Sequence, residues 1–130
     1  MVAIDTNVVV RLITADDEDQ LQRALALAAA APMYISLTVL IESDWVLRSV
    51  YGYDRGQIVV AIASLFDAFD VSFENAADVR WALERYAEAG ELADYLHISA
   101  ARPADRFATF ERRLPARAGA DAPVSIETLA

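Results

Sequence analysis

The chain has 130 residues, 56% of them hydrophobic, with only 4 glycines and 4 prolines, which predicts one well-packed domain over residues 1–130 and excludes a disordered chain. Without cysteine and with a single histidine, disulfides, thiolate metal sites and structural zinc are excluded, so any metal must be held mainly by oxygen. The formal net charge of -9 opposes a bare phosphate-binding surface, although carboxylates gathered around a divalent cation would meet a phosphate through the ion's own charge.

Val2 to Ile4 form an apolar run that predicts a buried first strand, with Asp5-Thr6-Asn7 at its carboxyl end. A short helix over Val8 to Ile13 should follow. Asp16, Asp17, Glu18 and Asp19 then precede the Ala/Leu-rich stretch Leu21 to Ala31, where acids complement the positive end of a helix dipole. Met33 to Ser36 read as a second strand, and Leu37 to Tyr51 as a helix that Gly52 ends. Asp54 with Gln57 has the spacing of a capping box and opens a helix to about Phe69. Val71 to Phe73 follow as a strand, and Asn75 caps a helix closed by Gly90. Leu92 to Ala101 give another helix, Phe107 to Thr109 a fourth strand and Val124 to Ile126 a last edge strand.

Strands alternating with helices along the whole length predict an α/β fold with a mainly parallel sheet covered on both faces. The uncharged run from Ala24 to Ile41 is interrupted by Pro32, Ser36 and Thr38, so a helix, a strand and a second helix are expected there, with no membrane span. The amino terminus has neither a basic start nor a small-residue cleavage site, and a cytoplasmic protein is expected.

All eleven basic residues are arginine. A P-loop and Schiff-base chemistry both need lysine and are excluded, as are the phosphotransfer folds that rely on an active-site lysine. Neither Gly-x-Gly-x-x-Gly nor Gly-x-Ser-x-Gly occurs. Carboxylate chemistry remains. In an open parallel sheet, ligands bind outside the carboxyl ends of the strands, and Asp5 is expected at such an end on a central strand, where a buried unpaired carboxylate would need a hydrogen-bond partner or a cation. Beside Asp5, the residues alone nominate Glu42, Asp44, Glu91, Asp94, Asp105 and Glu111. Helical phase does not choose between Glu42 and Asp44, because apolar residues surround both.

Four segments in order, Asp5-Thr6-Asn7, Leu40-Ile41-Glu42, Leu92-Ala93-Asp94-Tyr95-Leu96-His97 and Ala108-Thr109-Phe110-Glu111, together resemble the PIN-domain family, and within it VapC-like toxins, a likeness shared by the stretch Trp45-Val46-Leu47-Arg48. The resemblance implies a PIN-like α/β/α sandwich around a central sheet of four to five strands. It implies a Mg2+-dependent, or Mn2+-dependent, endoribonuclease with Asp5 and Asp94 as metal ligands and Glu42 as a further acid. Glu111 stands where the family usually has aspartate, and Glu91 where relatives often carry aspartate. Thr6, Asn7 and Thr109 would orient the carboxylates. A cognate VapB-like antitoxin and a homodimer are also implied.

Arg102, Arg106, Arg112, Arg113 and Arg117 cluster around Glu111. Arg112 and Arg113 are candidates for RNA phosphates, with a solvated face as the equal alternative. His97 is expected to be structural, since carboxylate-metal hydrolysis needs no imidazole. Trp45, Trp81, Tyr86 and Tyr95 fall at core-like helical intervals and are expected to pack or to meet a second copy. The competing functions are an inert PIN-like module that binds RNA or protein, and a small α/β phosphohydrolase.

Overall fold

Parallel strands cannot be joined by a tight turn, so each pairing demands a crossover segment. The structure, a computed structural model, describes residues 1–129, and its chain meets this demand with helices throughout. Two compact units form, Met1–Glu74 and Asn75–Ala130.

In the first unit, β1 (Val2–Ala3), β2 (Met33–Ile35) and β3 (Val71–Phe73) make a parallel sheet in the order β1-β2-β3. The register places Val2 opposite Met33, and Met33 opposite Val71. Helices α1 (Thr6–Thr14) and α2 (Glu18–Ala30) cross from β1 to β2; α3 (Leu37–Ser49) and α4 (Arg55–Ala68) cross from β2 to β3. Met33 and Ile35 on the central strand are buried with Val9, Leu40 and Ile62, and Phe66 stacks on Phe73 with ring centroids 4.1 Å apart. The capping box read from Asp54 and Gln57 is formed in full, and Gly52, at φ 69°, follows the end of α3.

The second unit holds α5 (Ala76–Glu88), α6 (Leu92–Ala100), β4 (Arg106–Thr109), α7 (Leu114–Ala118) and β5 (Ser125–Thr128). Strands β4 and β5 pair in parallel, Arg106 opposite Ser125 and Thr109 opposite Thr128. The α/β class expected from the sequence is thus observed, with the strands hydrogen-bonded as one ladder of three and one of two where a single sheet of four to five was expected. Strand β1 also lies at the edge of its ladder, and the central place expected for it belongs to β2. Only Ile4 of its apolar run is buried. Among the described residues no helix is long and apolar enough to cross a membrane.

The turn between α5 and α6 is locked by Tyr95, which is buried, stands edge-on to Trp81 and donates its hydroxyl to the Ala89 carbonyl at 2.7 Å. Gly90, at φ 85°, runs so close that an added Cβ would lie 2.5 Å from the Tyr95 hydroxyl oxygen. Gly90→Ala therefore meets both a steric clash and a left-handed backbone, and is expected to cost about 1–3 kcal/mol, measurable as a fall in the urea midpoint. An unchanged midpoint would show that Tyr95 can yield.

Candidate active site

Asp5 ends the β1 segment as the N-cap of α1. Its extended backbone turns the carboxylate back over the helix start, where Oδ1 accepts from the Val8 amide at 3.1 Å. One of the unpaired amides at a helix start is thereby satisfied. The carboxylate is exposed, which corrects the expectation of a buried group, because β1 is too short and too peripheral to enclose it; of the hydrogen-bond partner or cation expected for it, the Val8 amide is the former. Neighbouring Thr6 is buried and Asn7 exposed, and the Asp5 carboxylate is oriented by the Val8 amide. Asp5, Asn7, Arg11 and Arg23 line a cavity of about 380 Å³ between α1 and α2. A larger one of about 860 Å³, mostly apolar, runs between α1 and α4 and contains none of the expected site residues.

Glu42 and Asp44 differ sharply in burial. Glu42 is exposed, whereas Asp44 is only 1% exposed and lies one helical turn before Arg48, which donates Nε and Nη2 to it at 3.1–3.2 Å. A buried carboxylate held by a guanidinium is a structural element of α3. The spacing of four residues was the available sequence signal.

In the second unit, α6 begins at Leu92 and carries Asp94 in its first turn. Asp94 is half-buried. Its carboxyl is pushed above the ordinary carboxylate range, first by burial and then by the charges of Glu91 and Glu111, against the lowering influence of His97 and Arg117. Glu111 reaches this neighbourhood because it follows β4 in a tied turn: the Thr109 hydroxyl accepts from the Glu111 amide at 3.0 Å, and Glu111 Oε1 accepts from the Arg113 amide at 2.9 Å. Thr109 thus fixes the backbone that bears the acid. Asp105 is exposed in the turn before β4, and His97 is exposed as well.

The expected acids are therefore divided, Asp5 and Glu42 in the first unit and Asp94, Glu91 and Glu111 in the second. Among the described residues no group of three or more His, Asp or Glu side chains is arranged to hold a metal ion.

Two polar clusters escape the sequence. Asp78, buried at 4% exposure in α5, accepts two hydrogen bonds at 2.5 Å from the Arg102 guanidinium and a third at 2.7 Å from Ser99. Asn75, expected as a helix cap, adopts the N-cap position without a capping bond and donates its side-chain amide to Ser99 instead. Arg102 is thus committed to Asp78, and Arg106 pairs with Glu127 at 2.9 Å, which removes both from the arginines free for a phosphate. In the first unit, Tyr51 donates to Asp16 at 2.6 Å and accepts from Arg11 at 2.9 Å, so one acid of the expected charged helix turn is a tertiary anchor. Of the aromatic residues expected to pack, Tyr86 and Tyr95 are buried, Trp81 bonds the Ala118 carbonyl, and Trp45 is 57% exposed.

Comparison with protein-family models and with curated proteins gives no match.

Proposed function

We propose that this protein is a metal-dependent endoribonuclease of the PIN kind, a VapC-like toxin, with Asp94 on the first turn of α6 as its central acid. The observation that carries the reading is a half-buried Asp94 on the first turn of α6 whose carboxyl is raised by burial first and then by the charges of Glu91 and Glu111. A carboxyl whose proton affinity is raised by burial and by neighbouring like charges is a candidate for chemistry or for an ion, since packing alone gains nothing from it. The order of the four PIN-like segments supports the same reading and adds Asp5 as a second metal ligand and Glu42 as a further acid.

Asp94 would hold Mg2+ or Mn2+, with Glu91 at the helix start and Glu111 from the turn after β4 as supporting acids. Such an ion, when bound, supplies Lewis acidity toward a phosphodiester. The chain's own contribution is placement. Thr109 holds the Glu111 backbone, the Glu111 carboxylate is oriented by the Arg113 amide, and the Arg112 and Arg113 side chains, both exposed, offer guanidinium groups to RNA phosphates. The proposal includes the PIN-like α/β/α sandwich with one central sheet, a VapB-like antitoxin, a homodimer and a cytoplasmic location; the parallel pairing of all five strands is its structural support.

Incubation of the full chain with transfer RNA and with unstructured RNA tests the proposal. Cleavage to 5'-phosphate ends is expected with Mg2+ or Mn2+ and none in EDTA, together with saturable Mn2+ uptake by calorimetry. No cleavage and no uptake would sink it. A second reading, an inert PIN-like module that binds RNA, draws on the commitment of Asp5 Oδ1 and Glu111 Oε1 to backbone amides, and would appear in the same assay as binding without cleavage.

A further inference from the structure

Phe110 is 77% exposed, although a phenylalanine ring gains from leaving water more than most side chains do. It follows β4 directly, and the backbone around it is held on both sides. The Thr109 carbonyl accepts from Leu129 at 2.8 Å, the Thr109 hydroxyl from Glu111, and Glu111 from Arg113. The ring is thus presented from a tied turn, and little ordering is left to be done when it meets a ligand. No other aromatic ring stacks on it among the described residues.

Its chain neighbours decide what that ligand is. Arg112 and Arg113 are both exposed, and their guanidinium groups make no ion pair or hydrogen bond among the described residues, unlike those of Arg102 and Arg106. An exposed ring followed two and three residues later by exposed arginines with uncommitted guanidinium groups is the chemistry that holds single-stranded nucleic acid, with the base on the ring face and the flanking phosphates on the cations. An apolar protein partner would instead call for apolar flanks, and here the ring is bracketed by Thr109, Glu111 and the two arginines.

We propose that Phe110 is a stacking platform for an unpaired base of single-stranded RNA, with Arg112 and Arg113 on the adjoining phosphates. The choice of RNA as the polymer rests on the nuclease reading above. The site places a base next to Glu111, and so adds a means of selecting the nucleotide beside the bond that is cut.

Fluorescence anisotropy with a short labelled oligoadenylate, using the full chain in EDTA, tests this without requiring cleavage. Phe110→Ala is expected to weaken binding by about fivefold or more, and Phe110→Trp to restore it. The slope of log K against log salt should stay unchanged in Phe110→Ala, but flatten by roughly 0.7 for each phosphate that Arg112→Gln or Arg113→Gln leaves without its cation. Equal binding by Phe110→Ala and the parent overturns the proposal, as does a parent that does not bind the oligonucleotide. A change of sedimenting mass in Phe110→Ala with RNA affinity intact also overturns it, and marks a protein interface. A parent that binds through Phe110 but never cleaves with Mg2+ leaves the stacking site standing and removes the nuclease reading.

Discussion

Asp94→Asn is expected to abolish Mg2+-dependent RNA cleavage, by roughly two orders of magnitude or more, while making the metal-free protein more stable. The second half follows from the site's electrostatics. Burial, with Glu91 and Glu111 beside it, raises the Asp94 carboxyl above its ordinary value, so the native state binds that proton more tightly than the unfolded chain does. Stability contributed by the proton is present below the unfolded value and is lost as pH rises through the folded one. Above the folded value the parent bears the penalty of an ionised Asp94, and the neutral amide does not. Thermal melts in EDTA should therefore show the variant melting higher than the parent at pH 7, with the gap closing as pH falls through the raised folded value and gone below about 3.8, the ordinary carboxyl value. A variant that cleaves normally, or that melts lower than the parent at pH 7, would remove Asp94 from the proposed centre.

Asp78→Ala should behave in the opposite way, with a large loss of stability. Asp78 is buried and receives both arms of the Arg102 guanidinium as well as the Ser99 hydroxyl. Removing it strands two donors and deletes the tie between α5 and the end of α6. The expected cost is about 2 kcal/mol, set below the usual range for a fully buried pair because the Arg102 side chain is half-exposed. That is a large share of the stability of a small protein. The linkage to pH has a definite sign. Arg102 holds the Asp78 carboxyl below the ordinary range, against burial and with help from Ser99. Its contribution is present above the unfolded value and is lost as pH falls through the folded one. Urea denaturation at pH 7 and again in acid should show the difference between parent and variant shrinking as the carboxyl is protonated. A difference under roughly 0.5 kcal/mol at pH 7 would place the cluster among ordinary surface contacts.

Local signals explain which elements the sequence made legible. Asp54 and Gln57 announced a helix start because both halves of a capping box lie within one turn. Gly52 and Gly90 marked helix ends because a left-handed residue is cheapest as glycine. Met33 to Ile35 were readable as a strand from their length and apolar character. Strand β1 was misplaced because an apolar triplet cannot distinguish a central strand from an edge strand; pairing on one side or two is decided by chain segments some thirty to seventy residues away. The same distance hid Asp78. An acid on an otherwise apolar helix face was the available sign, but its partner Arg102 lies on the far side of another helix. Asp16 was hidden by its company, since four consecutive acids before a helix look like dipole compensation, and only Tyr51 shows that one of them does something else. At the candidate centre, the acids of α6 and of the turn after β4 could be nominated by residue type. Their mutual repulsion could not, because it depends on how far the turn at Thr109 folds back.

The α1 cap has a bearing on genetics. Because Asp5 Oδ1 anchors the first turn of that helix, one codon carries two separable lesions. An amide side chain keeps an oxygen for the Val8 amide and alters charge alone, whereas a methyl group frays the helix start at a cost of about 1 kcal/mol. A phenotype shared by Asn and Ala at this position speaks to the lost anion, and one confined to Ala speaks to a loosened helix.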